Sequence, residues 1–370
     1  MDLLTIGLLV AGLAMLTVGG ELLVRGASAL ATLAGISPLV VGLTVVSFGT
    51  SAPELAVSIQ AGLGGNSDIA VGNVVGSNIF NVLLILGACA LIVPLSVSAQ
   101  LVRREVPIMI ACSLLLVPLA LDGRIGLLDG VLLTAGIVIY NVWSVVSSRR
   151  ATAAARAEYK QAVGEAPRAP RRRLRHALVN LGLLLGGLVV LVLGARLLVD
   201  GAVTLARGLG VSDTIIGLTI VAAGTSLPEV VTSIIATLRR ERDIAIGNVV
   251  GSNIFNIMCI LGISAVVTPG GLNVAPAVIN FDLPVMIAVA LACLPVFFTG
   301  MSIARWEGAL FLLHYGAYTT YLILAATDHD ALPAFSGVMA TFVLPLTAVT
   351  LLVLGGHALF VAQREGARGG

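Results

Sequence analysis

The sequence predicts an all-α integral membrane protein of about 11 transmembrane helices, an inverted repeat of two five-helix halves plus one extra C-terminal helix. Three observations predict it. Hydrophobic residues make up 58% of the chain and charged residues 11%, and the mean hydropathy of +1.06 lies far outside the soluble globular range. Apolar stretches long enough to span a bilayer, about 20 residues each, recur along the whole chain. The fourteen residues DIAVGNVVGSNIFN at 68–81 return at 243–256 with a single conservative change, Val71 to Ile246.

The first repeat occupies residues 1–147, with helices expected at 3–25, 38–62, 69–93, 102–121 and 126–147. The chain opens MDLLT, without a basic n-region, so its first segment reads as a retained span and not as a cleaved signal peptide. The second carries GTSAPELAVSI at 49–59, the third carries the fourteen-residue motif, and the fourth enters the membrane at Glu105 and Pro107. Residues 148–175 are a short linker rich in Ala, Arg and Pro. The second repeat, 176–326, is expected to hold helices at 176–200, 212–237, 244–268, 278–299 and 304–326. Its GTSLPEVVTSI at 224–234 answers the first repeat at the same 175-residue offset, and Asp282 with Pro284 answers Glu105 with Pro107. Residues 327–370 hold an eleventh helix at 334–362, where the internal Pro345 leaves a re-entrant or peripheral element as an alternative.

Five spans separate each helix from its mate, and an odd number turns the second copy upside down in the bilayer. Basic residues set the orientation. Placing the Arg-rich linker in the cytoplasm also places Arg25, Arg103, Arg104, Arg239, Arg240, Arg242, Arg305, Arg364 and Arg368 there, and leaves the opposite loops nearly bare except for Arg124 and Arg207. The expectation is a multi-pass protein of the cell (plasma or inner) membrane, with the N-terminus outside and the linker and C-terminus cytoplasmic. Four cysteines stand singly in spans without metal-ligand spacing. No nucleophile paired with a base, phosphate loop or cofactor motif is present, so neither an enzyme nor a resident cofactor is expected. No partner beyond the bilayer and the transported ions is implied, and nothing suggests nucleic acid.

Glu54 and Glu229 are repeat mates in the middle of apolar segments. A charge at a helix centre costs roughly 2.5–3.5 kcal/mol on the insertion scale, which marks both as candidates for an ion pathway. Pro53 and Pro228 each break a helix beside a Thr-Ser pair, giving half-helix ends of the kind that bind ions near the midplane of inverted-repeat transporters. The carbonyl end of one half faces a cation, and the positive end of the next holds the carboxylate ionised. Ser77 and Asn81, mirrored by Ser252 and Asn256, add oxygens on a common face. An all-oxygen, flexible site suits Ca²⁺ or Na⁺ better than a softer metal.

With GTSxPE and GNVVGSNIFN each present twice, the chain resembles the cation/calcium antiporter superfamily, the relatives of the sodium/calcium exchangers, over about residues 1–326. The resemblance implies an alternating-access exchanger in which the helices around Met15 and Val192 slide past the rest. It implies that Glu54 and Glu229 are shared cation ligands and that the main-chain carbonyls of Thr50 and Thr225 complete a calcium site. Ser51, Ser226, Ser77, Ser252, Asn81 and Asn256, with the carbonyls of Ser47 and Ala222, would serve flanking monovalent sites. Some sodium-coupled relatives have an aspartate where this chain has Asn256, so the coupling ion stays open between Na⁺ and H⁺. The linker is too short for the folded calcium-sensing domains of animal exchangers. A passive cation channel lined by the same oxygens is the rival from another class.

Several conspicuous residues read as structural: Asp68 and Asp243 at helix starts, Glu21 with Arg25 and Arg196 with Asp200 as i, i+4 pairs, and His314 and His357 in apolar helices.

Overall fold

A computed structural model describes residues 3–163 and 173–368, without the side chains of 155–163, 173, 213, 214, 218 and 357–368. It is all-helical apart from four two-residue strands. Helix α1 covers Leu3–Ala34, α2 is the broken pair Pro38–Thr50 and Ala52–Leu63, and α3 covers Ser67–Ile92. Helix α4 spans residues 101–120 and α5 Leu127–Val163. The second half repeats the plan. Helix α6 is Arg173–Gly208, α7 is broken between residues 213–224 and Leu227–Leu238, and α8 is Arg242–Val267. Val278–Met301 (α9), Arg305–Ala326 (α10) and the C-terminal helix α11, which begins at Leu332, complete the eleven expected elements. Eight helices among the described residues are long and apolar enough to cross a membrane alone, and the bent pair of α2 makes nine. Helix α4 and the two halves of α7 carry charges or breaks that keep them from passing that test by themselves.

Helices α1, α5 and α6 extend well past their expected ends, because the chain stays helical beyond the apolar stretch that hydropathy registers. In both repeats the turn between the half-helices falls at the serine of the Thr-Ser pair, Ser51 (φ −82°, ψ 7°) and Ser226 (φ −91°, ψ 7°), so Pro53 and Pro228 take the second position of the following half-helix. The two halves of α2 meet at 45°.

Six π-helical stretches form three repeat-related pairs: Gly42–Val46 with Gly217–Val221, Asn81–Leu86 with Asn256–Leu261, and Leu101–Glu105 with Val278–Asp282. Such widened turns cost regular hydrogen bonding and gather at functional sites. Two of these pairs begin at, or lie just before, residues singled out in the sequence.

Helices α3, α4, α5, α8 and α9 share the main apolar core, while α1 and α6 build a second one. Glycine lets α1 and α6 touch backbone to backbone. A Cβ added at Gly12 would lie 2.6 Å from the Leu198 nitrogen, and one at Gly19 would lie 2.8 Å from the Gly187 carbonyl. Gly12, Gly19 and Gly26 recur every seven residues along this seam, so α1 and α6 form one unit.

Loops from opposite repeats are stitched together on both faces. Leu95–Ser96 pairs antiparallel with Ser302–Ile303, and Arg124–Ile125 with Leu272–Asn273. On the face that carries the 148–175 linker, Ser37 N–H donates to Ser148 Oγ at 2.9 Å and Ser28 Oγ to Glu241 at 2.8 Å. Glu21 pairs with Arg25 at 2.8 Å and also with Arg239 across the interface. The counterpart pair expected at Arg196 and Asp200 is not formed among the described residues.

Candidate cation-binding site

The two half-helix breaks meet at the pseudo-twofold centre. Glu54 and Glu229 lie in the first turn of Ala52–Leu63 and Leu227–Leu238, where the positive ends of these segments favour a carboxylate. Both are 1% exposed. Each is held by the serine of the other repeat: Ser226 Oγ donates to Glu54 Oε1 at 2.8 Å, and Ser51 Oγ donates to Glu229 Oε1 at 2.9 Å. Ser77 Oγ stands 3.3 Å from Ser226 Oγ. The exchange of serines ties the repeats together at the point where the carboxylates are most deeply buried.

Each carboxylate is left half satisfied. Glu54 Oε2 and Glu229 Oε2 are buried without a hydrogen-bond partner, and so are Asn81 Oδ1, Asn256 Oδ1 and Ser252 Oγ. Unpaired buried acceptors are rare and costly, because the group has lost water and gained nothing in return. A desolvated cation is the species that satisfies several such oxygens at once, and hard oxygen donors of this kind match Na⁺ or Ca²⁺. Among the described residues no group of three or more His, Cys, Asp and Glu side chains converges, so the remaining ligands must be neutral oxygens.

The asparagine orientation follows from a reciprocal clasp. Asn78 Nδ2 donates to the Asn253 carbonyl at 3.2 Å and Asn253 Nδ2 to the Asn78 carbonyl at 3.3 Å. Their second amide hydrogens face the sulfurs of Met286 and Met109. With its hydrogens committed, each clasp residue must present its side-chain oxygen. Asn81 Nδ2 donates to Asn253 Oδ1, and Asn256 Nδ2 to Asn78 Oδ1, both at 3.0 Å. The Oδ1 atoms of Asn81 and Asn256 are therefore the ones left free. A second layer, Asn73 to Ser58 at 3.1 Å and Asn248 to Ser233 at 3.0 Å, braces the broken helices on α3 and α8. The sequence reading assigns no role to Asn73, Asn78, Asn248, Asn253 or either methionine. The signal was there, since all four asparagines lie inside the repeated motif.

The halves differ although the motifs do not. The first half of α2 is docked on α8: a Cβ at Gly247 would meet the Leu39 carbonyl at 2.7 Å, Ser47 Oγ donates to the Asn248 carbonyl at 3.0 Å, and Thr50 Oγ1 to Asn248 Oδ1 at 3.1 Å. The corresponding half of α7 stands off α3. Gly72, Gly76 and Gly217 have nothing within 4 Å of an added Cβ, Ala222 is exposed, and Thr225 Oγ1 is without a partner. Of the two motif glycine pairs, Gly72 with Gly76 and Gly247 with Gly251, the second alone meets a neighbouring backbone. Ser47, Thr50, Ser51, Glu54, Ser77 and Asn81 sit buried around the centre with Ser226, Glu229, Ser252 and Asn256. Ala222 is exposed and Thr225 is half-buried, in the half of α7 that starts from the face opposite the linker. The Ser47 carbonyl, expected as a ligand, accepts the Ser51 N–H at 3.0 Å.

This site geometry sits in a chain whose residues 4–146 and 179–324 match the family described as sodium/calcium exchanger protein. The chain belongs to the sodium/calcium exchanger family. It is 39% identical over 290 residues to the inner membrane protein YrbG of Escherichia coli, covering 78% of this chain and 87% of that one. It is 34% identical over 342 residues to the sodium/calcium exchanger MaX1 of Methanosarcina acetivorans, covering 85% and 97%. The solved sodium-calcium exchanger NCX_Mj superposes with a TM-score of 0.72 at 32% identity, over 85% of this chain and 97% of its own. As a family member the protein is a multi-pass membrane transporter and not an enzyme. Helix α11 lies beyond the matched residues.

Proposed function

We propose that the protein is a secondary antiporter that exchanges Ca²⁺ for Na⁺ by alternating access through the Glu54–Glu229 site. The observation that carries this reading is the reciprocal serine–carboxylate arrangement, in which each buried glutamate keeps one unpartnered oxygen beside free Asn81 and Asn256 oxygens. Relatives named for sodium/calcium exchange support the choice of ions.

Charge arithmetic supplies the coupling. Two ionised carboxylates give the empty site a charge of −2, and moving it through a sealed state is costly without compensation. One Ca²⁺ or at least two monovalent ions neutralise it. The two loads share Glu54 and Glu229, so they exclude each other and exchange is obligatory. In this reading the Thr50 and Thr225 carbonyls complete the calcium shell, while Ser51, Ser226, Ser77, Ser252, Asn81 and Asn256, with the Ser47 and Ala222 carbonyls, serve sodium. Access alternates when the docked half of α2 releases α8 while the corresponding half of α7 closes on α3, carried by the α1–α6 unit. The linker face, where the first half of α2 is docked on α8, is the cytoplasmic one, and the opposite face is external.

Proton coupling is the second reading, favoured by the neutral Asn256, which supplies no third carboxylate to hold an additional sodium ion. Calcium-45 uptake into proteoliposomes separates the readings. Uptake that requires internal Na⁺ and disappears in Glu229→Gln supports sodium exchange; uptake driven by a pH gradient alone moves the protein to proton exchange, and uptake without any counter-ion makes it a channel.

A further inference from the structure

Outside the cation site, a cavity of about 690 Å³ lies between α9, α10 and α11. We infer that this cavity is a binding site for one acyl chain of a bilayer phospholipid. Its walls are apolar, including Ala288, Phe311, Met339, Ala348 and Leu351. Of the five polar side chains that line it, three are engaged, leaving only Ser336 and the Tyr321 hydroxyl. His314 Nδ1 is 2.9 Å from the Leu310 carbonyl and its Nε2 is 3.3 Å from Thr347 Oγ1, while Tyr318 OH donates to Asp282 at 2.8 Å.

A half-open apolar cleft of this size does not stay empty, because unfilled it leaves its lining atoms without dispersion contacts. Water has too few free polar partners to fill it, and apolar cavities of roughly 150 Å³ already stay dry and take up apolar ligands. The three helices span the membrane, so the medium around them is hydrocarbon. An acyl chain is the filler at hand, and the volume falls within the roughly 300–1,000 Å³ of ordinary ligand pockets. At one end Phe281 stacks on Tyr321 at 4.0 Å and lies 6.2 Å from Tyr318. Such aromatic groups gather at the membrane–water boundary, which marks this end as the place where the headgroup emerges.

The site gives α11 a role. The helix closes the cavity with Met339, Thr347 and Leu351, while α9 and α10 supply the rest of the wall. The wall also includes Leu83, two residues beyond Asn81 in the same π-helical stretch. On the cation-site reading above, an acyl chain lying against Leu83 supports the widened turn that carries a ligand.

The test uses the full chain in liposomes containing a phospholipid with a photoreactive diazirine midway along one acyl chain, with crosslinks mapped by mass spectrometry. Crosslinks are expected on Ala288, His314, Met339 or Thr347. In the double variant Ala288→Phe, Ala348→Phe they should fall at least tenfold, while labelling of the exposed Phe342 and Leu346 on the outer side of α11 stays constant. Crosslinks confined to Phe342 and Leu346 in the unaltered protein overturn the inference, whether or not the filled variant folds. So does labelling of the cavity by a free fatty acid probe but not by the phospholipid. Crosslinking reads occupancy without ion flux, so its failure is distinguishable from failure of the exchanger reading.

Discussion

Gly251 and Gly76 are repeat mates in opposite surroundings, and an alanine at each is expected to push the transporter in opposite directions. A Cβ at Gly251 would stand 2.6 Å from the Leu43 carbonyl and 2.7 Å from the Leu43 Cα, and would also meet Ser47 Oγ. The obstacle is backbone, so no side-chain rotation relieves it and the first half of α2 must retreat by about 1 Å to regain ordinary contact. Overpacking of this kind costs about 1–3 kcal/mol. At Gly76 an added Cβ meets nothing within 4 Å, so the same change is free in this conformation and is penalised only where α7 docks on α3. Gly251→Ala should therefore depopulate the conformation closed at the linker face by roughly 5- to 150-fold, and Gly76→Ala should favour it. A single cysteine at the exposed Ala222, in a background lacking Cys89, Cys112, Cys259 and Cys293, reports the population through its alkylation by a membrane-impermeant maleimide added on the side opposite the linker. The expected result is slower labelling in Gly251→Ala and equal or faster labelling in Gly76→Ala. Unchanged labelling in Gly251→Ala, or a shift of both variants in one direction, would refute the argument that the docked and undocked halves exchange roles.

Three further outcomes follow from the site. Ser226→Ala removes the hydroxyl that holds Glu54, a bond to a charged group worth about 1.5–3 kcal/mol, and should raise the half-saturating calcium concentration by about tenfold or more in the flux assay. Asn253→Leu lets the Asn81 amide turn and should weaken half-saturating sodium by the equivalent of about 1–3 kcal/mol, whereas Met109→Leu, which removes only a long sulfur contact, should have a smaller effect on the same measurement. Calcium at about a hundred times its dissociation constant should stabilise the native protein by about 2.7 kcal/mol in thermal unfolding, and Glu229→Gln should abolish that shift; a shift retained in the variant would place calcium elsewhere.

The helices, their inverted pairing and the two glutamates were legible because each leaves a one-dimensional mark. Apolar length gives a span, the 175-residue offset gives the mate, and a carboxylate in an apolar run marks a candidate ion site. The π-helical stretches left no such mark: Asn81–Leu86 reads as ordinary helix, and the contact made where it widens, Asn81 with Asn253, comes from the other repeat. The clasp itself was half visible: Asn78 and Asn253 lie in the motif, but their partners Met286 and Met109 come from α9 and α4, which no local pattern links to the site. Bounds of α1, α5 and α6 were short because hydropathy measures where lipid begins and not where helical hydrogen bonding ends.

The asymmetry between the halves is a different kind of omission. GNVVGSNIFN is identical in α3 and α8, yet Gly251 is wedged against Leu43 while Gly76 faces open space. One sequence motif thus occupies two environments in a single molecule, and its local preferences cannot have chosen between them. The choice lies with the flanking elements that the repeats do not share. Glu21 and Arg239 pair across the linker face, whereas their mates Arg196 and Gly64 have no means to do so, and Ser47 reaches the Asn248 carbonyl where its mate Ala222 has no hydroxyl. On the alternating-access proposal, the matching motifs keep two access states close in energy, and these few unequal contacts decide which is populated. A transporter needs both properties, because a large difference between the states would trap the ion on one side.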